Sequence, residues 1–180
     1  MTADELHEAV KCTVHDAERW AEPLTAAMEE FSITTPARQA AFLAQIAHET
    51  GCFRWIREIW GPTPAQSRYE PPGPKSVDLG NTQPGDGKRF MGRGLIQVTG
   101  RANYMRAAAR LGIDCVEHPE LLEEPINAAR SAGDFWESRG LNELADTGSF
   151  EKITKKINGG LTGYIDRCLA WDRAKRALGA

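Results

Sequence analysis

The residues from Thr35 to Gly51 set the first constraint on this chain. Thr35 offers a capping hydroxyl, and Pro36 follows at the first helical position, where its missing N–H costs nothing. From Ala41 the chain reads Ala-Phe-Leu-Ala-Gln-Ile-Ala-His-Glu-Thr-Gly, with Phe42 and Ile46 one helical turn apart. Glu49 continues that apolar stripe, and Gly51 is expected to end the helix in the left-handed conformation. A carboxylate there meets two penalties: burial disfavours charge, and the C-terminal turn of a helix is itself partly negative. Both favour the neutral carboxyl, the form a general acid needs near pH 7.

A second carboxylate, Glu58, follows in Arg54-Trp55-Ile56-Arg57-Glu58-Ile59-Trp60. On one unbroken helix the two would point to opposite faces. A break at Gly51 lets the chain turn Glu58 back towards Glu49. Two carboxylates on different elements facing one groove is the arrangement of glycosidases. Spacing alone equally admits a helix-end Glu and a solvated Glu.

A chain of 180 residues fits one domain and can bury a sizeable core. Its hydrophobic fraction of 41% and charged fraction of 26% are those of a globular protein, and the net charge of −3 excludes a general polycation for nucleic acid. Charge is uneven. Residues 1–35 carry two basic side chains against eight acidic ones, whereas 85–110 carry six against one and 151–180 seven against three. A basic middle and end could attract an anionic polymer, or simply be solvated helix faces. Cys12, Cys52, Cys115 and Cys168 form no Cys-x-x-Cys and have no zinc-ligand spacing, so they read as reduced, packed thiols with no metal. Met1 to Leu6 has neither a basic region nor an apolar core, so no signal peptide is read there, and no run approaches a membrane span.

In chain order, a short helix is expected over Asp4–Cys12. A second, capped by Thr13, runs to about Phe31, with Pro23 kinking or dividing it. Trp20 and Phe31 read as core. The 61–87 stretch is dense in Pro and Gly, and neither a helix nor a long strand is expected to survive it. It reads as a functional loop forming a groove wall. Leu95, Ile96 and Val98 suggest a short extended segment, and Thr99 caps a helix from Gly100 to Leu111. No Gly-Lys-Ser/Thr follows Gly92 and Gly94, which excludes a phosphate loop. The rest reads as helices: Pro125–Gly140 with Ile126, Ala129, Gly133 and Trp136 inward, Leu141–Ala145, Ser149–Ile157, and Gly163–Leu178.

Several segments together resemble family 19 of the glycoside hydrolases, and within it the bacteriophage and prophage endolysin branch. They are Ala47-His48-Glu49-Thr50-Gly51, Glu58, Pro84-Gly85-Asp86-Gly87, the run from Gly92 to Tyr104, Ala128 to Trp136, and Ile157-Asn158-Gly159-Gly160 with Asp166-Arg167. The resemblance implies a mainly α, lysozyme-like, two-lobed helical domain over residues 1–180 with a central substrate groove. It implies inverting hydrolysis of β-1,4 bonds next to N-acetylhexosamine, without metal or organic cofactor. By position, Glu49 is the general acid, Glu58 the general base, and Thr99 helps hold the attacking water. Gln97, Asn103 and Asn158 match residues that hydrogen-bond sugar. Tyr104, His48 and Arg167 stand with them on the substrate side, Arg167 as a basic residue near the acid. The 61–87 loop departs from the family, so its contacts do not transfer; Glu70 is the alternative base.

The leading expectation is a peptidoglycan glycan-strand hydrolase, an endolysin active in host lysis. It would be a monomer, held in the host cytoplasm until a separate membrane-pore protein releases it to the wall, with no nucleic-acid partner and no stable membrane insertion. The alternatives are a chitinase, a lytic transglycosylase using one carboxyl, and an inactive saccharide-binding module, which would not need both carboxylates.

Overall fold

A computed structural model describes residues 1–180 as eleven α-helices and one 3-10 helix, with only isolated β-bridges. The chain divides into two compact units, one of residues 1–55 and 132–180, the other of residues 56–131. No helix is long and apolar enough to cross a membrane.

The first unit holds α1 (Ala3–Val10), α2 (Val14–Glu30), α3 (Pro36–Thr50), the second half of α8 (Pro125–Ser138), α9 (Leu141–Asp146), α10 (Phe150–Asn158) and α11 (Tyr164–Leu178). The helices begin and end where the caps dictate. The hydroxyls of Thr13 and Thr35 accept from the N–H groups of Asp16 and Arg38, at 3.0 and 3.2 Å. Gly51 ends α3 with φ 57°, as read from the sequence. α3 is buried on every side from Ala40 to Ala47, so it forms the axis on which α1, α9 and α11 pack. Phe42 meets Trp136 edge-on at 5.3 Å between ring centroids. The Trp136 indole donates to Asn142 Oδ1, and Asn142 Nδ2 donates to the Phe31 carbonyl, so this buried polar group is satisfied. Pro23 does not divide α2, because Trp20, Leu24, Ala27 and Met28, on both sides of it, are buried in one core. Ile126 was expected to face inward but is 63% exposed; Ala128, Ala129 and Trp136 form the buried face instead.

The second unit corrects the reading of the Pro/Gly-rich stretch. It forms three short helices, α4 (Pro64–Ser67), α5 (Pro74–Leu79) and α6 (Asp86–Arg89), the first two opening on a proline. Proline breaks a helix interior but suits the first turn, and proline density alone does not distinguish the two. Residues 94–97 form a turn closed by the Arg93–Val98 bridge, not an extended segment. Gly100 rather than Thr99 occupies the N-cap of α7 (Arg101–Leu111). The basic stretch is largely engaged within the unit: Arg89 pairs with Glu117, Arg93 with Glu123 and Arg101 with Asp86.

Asp86 is the hub here. It is 2% exposed, accepts from the backbone N–H groups of Thr82 and Gln83, and is gripped through both oxygens by Arg101 at 2.8 and 2.6 Å. The Arg101 hydrogen bonds hold its carboxyl down to about 2. A carboxyl lowered on folding stabilises above its unfolded value near 4, and that stability is lost as pH falls from there through about 2. In urea titrations, wild type is therefore expected to lose about 2 kcal/mol between pH 4 and pH 2 that Asp86→Asn does not lose. Parallel pH profiles for the two proteins would contradict the assignment.

Candidate functional site

Glu49 sits in the last turn of α3. Its carboxylate is not left alone on the apolar stripe: Arg167, from α11, donates to Oε1 at 2.6 Å. The Arg167 side chain is 2% exposed, against 24% for Glu49. Arg167 Nη1 also donates to Gln45 Oε1, and Gln45 Nε2 donates to Thr154 Oγ1 at 3.0 Å. Periodicity places Glu49 on the buried stripe but does not reveal its guanidinium partner. Gln45 and Thr154, both fully buried, were not singled out. A signal for Gln45 existed, since a polar residue one turn before Glu49 on a buried helix needs a partner. His48 packs against Gly163, where a Cβ would collide with its ring. Burial first, then the charge of Arg167, lowers the His48 imidazole below its ordinary value.

Glu58 is organised within the second unit. Its backbone N–H donates to the Gly92 carbonyl at 2.8 Å, and the Gly92 N–H returns to Glu58 Oε2 at 3.0 Å. Gln66 Nε2 donates to Oε1 at 3.0 Å. Burial, then the nearby Glu58 carboxylate, raises the Tyr69 phenol above its ordinary range. Gly92 allows the approach of two expected site residues: a Cβ there would collide with Gln97 Oε1 and lie 3.1 Å from Thr99 Oγ1. Glu58, Gln97 and Thr99 are thus gathered around one glycine. Asn103 joins them through its amide, which donates to the Thr99 carbonyl at 2.8 Å.

Other expected residues serve differently. Tyr104 has no exposed surface; its hydroxyl donates to the Met91 carbonyl and accepts from Arg93, so it supports the 91–93 backbone rather than meeting a ligand. Glu70, the alternative base, accepts from the N–H groups of Gly85 and Lys88 and so caps α6. Asn158 is exposed at the end of α10, its amide 3.4 Å from the Thr162 carbonyl. Arg167 is buried behind Glu49, a support for the carboxyl rather than a contact for sugar. No group of three or more His, Cys, Asp or Glu is placed to hold a metal ion.

A family model for glycoside hydrolase family 19, described as chitinase class I, matches residues 24–146, more than half of the chain. The chain belongs to glycoside hydrolase family 19. It is therefore a chitinase-like glycosidase. A Haemophilus influenzae protein described as containing a glycosyl hydrolase family 19 domain is 32% identical over 168 residues, covering 81% of this chain and 82% of that one. An Arabidopsis thaliana endochitinase is 35% identical over 122 residues, 67% of this chain but only 39% of the plant protein. The chain thus spans about two fifths of that plant relative. Chitinase C of Streptomyces griseus superposes with a TM-score of 0.77 at 22% identity, over 99% of this chain and 76% of that one, which shows the family's lysozyme-like helical fold.

If Gly92 holds this constellation together, Gly92→Ala is expected to lower kcat/KM on the order of 10²-fold by displacing Gln97 and Thr99, with the helical circular dichroism unchanged. Wild-type kcat/KM in the variant would separate Gln97 and Thr99 from the chemistry.

Proposed function

We propose that this family 19 enzyme is a peptidoglycan glycan-strand hydrolase of the endolysin type. It cleaves β-1,4 bonds next to N-acetylhexosamine with inversion. Glu49 protonates the leaving oxygen. Glu58 removes a proton from the attacking water, Thr99 helps hold that water, and Gln97, Asn103 and Asn158 take the sugar. Its partner is the wall polymer, with no nucleic acid, metal or organic cofactor. The protein acts as a monomer held in the host cytoplasm until a separate pore protein gives it access to the wall.

The observation that carries the reading is the contrast between the two carboxylates. Glu49 is backed by one buried guanidinium, whereas Glu58 receives only neutral donors and shares its neighbour Gly92 with Thr99. Two carboxyl groups with unlike surroundings suit unlike roles in acid–base hydrolysis. The wall, rather than chitin, is favoured by the resemblance of the sequence segments, taken together, to the endolysin branch. Chitin is the second reading, favoured by relatives named endochitinase.

Mass spectrometry of borohydride-reduced products from purified peptidoglycan tests both readings. Wild type is expected to release fragments with new reducing N-acetylhexosamine ends. Glu49→Gln, still folded, should lose about 10²–10⁴-fold in rate. Anhydro-muramic ends would replace hydrolysis by transglycosylation. Cleavage confined to chitin oligomers would move the substrate to chitin, and a Glu49→Gln rate above a tenth of wild type would remove Glu49 from the acid role.

A further inference from the structure

Gln66 lies in the stretch that departs from the family's usual pattern, and nothing in the sequence marks it as functional. The structure places it at Glu58. Gln66 is 4% exposed, and every hydrogen-bonding position of its amide is used. Oε1 accepts from the backbone N–H groups of Gly61 and Thr63, at 3.2 and 2.8 Å. Nε2 donates to Glu58 Oε1 at 3.0 Å and to the Ile59 carbonyl at 2.8 Å. The two backbone donors leave the amide only one orientation. Its NH2 group must face the carboxylate, because the flipped amide would set N–H against N–H.

We propose that Gln66 is the positioning residue for the water-activating carboxylate of Glu58. This rests on the reading of Glu58 as the base. An ionised carboxylate offers about four acceptor sites. Two are taken, one on each oxygen, by Gln66 Nε2 and the Gly92 N–H. The others remain for a proton of the attacking water. The clamp also acts against rotation. Glu58 is held at its backbone by Gly92, and the neighbouring Gly94 N–H donates to the Ile56 carbonyl at 2.8 Å. With the backbone paired and one donor on each carboxylate oxygen, the free lone pairs have a fixed direction. A base that needs no reorientation when water arrives is a preorganised one. The proline-rich segment then has a defined task. Pro64 starts α4, the Thr63 hydroxyl caps it by accepting from the Gln66 N–H, and that turn delivers Gln66 to Glu58.

The test is Gln66→Glu, which keeps the acceptor for Gly61 and Thr63 but replaces the donor facing Glu58 by an oxygen. Steady-state kinetics on solubilised peptidoglycan are measured for wild type, Gln66→Glu, Glu58→Gln and the double variant, with melting temperatures. The expected result is a kcat lowered by at least about tenfold in Gln66→Glu, with KM within about twofold. The same substitution should have no further effect on kcat in the Glu58→Gln background. A merely structural role would lower kcat equally in both backgrounds, and that result overturns the proposal. Wild-type kcat in Gln66→Glu, alongside a Glu58→Gln enzyme that has lost activity, overturns the positioning role while leaving the base intact. Full activity in Glu58→Gln removes the base and the proposal together. If Gln66→Glu melts below the assay temperature, Gln66→Met decides: it removes the donor to the same carboxylate without adding a charge, a several-fold fall in kcat is expected, and an unchanged kcat overturns the clamp.

Discussion

Arg167 brings a guanidinium into a place where its side chain is 2% exposed, and the first unit is arranged to make that tolerable. A buried charge without partners costs several kcal/mol, and removing one partner of a buried pair is strongly destabilising. Here the charge is met by Glu49, the same guanidinium is fixed by Gln45, and Gln45 is fixed in turn by Thr154. These residues come from α3, α10 and α11. The polar chain therefore ties together the helices whose apolar faces make the surrounding core. The outermost member, Glu49, is partly exposed, so the network ends in a group that solvent can reach.

The second unit solves a different problem by different means. Glu58 stands on no helix, and its surroundings supply neutral donors instead of an ion pair. Short helices, a closed turn and one close backbone approach at Gly92 replace the long packed helices of the first unit. Buried Asp86 gathers the 82–86 backbone onto Arg101, and Glu70 caps the turn that follows, so irregular chain is held by satisfied polar groups rather than by apolar area.

What was legible in the sequence follows this division. The α3 helix could be read residue by residue, because its cap, its apolar stripe and its glycine terminus are all local signals. Glu49 and Glu58 stood out for the same reason, as did Gln97 and Thr99 through the resemblance. Gln66 did not, because the hydrogen bond that gives it a role reaches back to Glu58 through a turn that proline content alone argued against. Tyr104 was misplaced because an aromatic with a hydroxyl looks alike in a groove and in a core; only the bonds to Met91 and Arg93 tell them apart. The positive stretch looked available for an anionic polymer, yet Arg89, Arg93 and Arg101 are engaged by acidic residues distant in sequence.

The claim on which the mechanism turns is that Glu58 activates water for a single direct displacement. Proton NMR of the anomeric region during the first minutes of wall-glycan cleavage tests it most directly. The expected result is that the α-anomer of the new reducing end appears first and then mutarotates towards equilibrium, as inversion at a β-linkage requires. Initial appearance of the β-anomer, or of an anhydro end with no anomeric proton of a free hemiacetal, would contradict it.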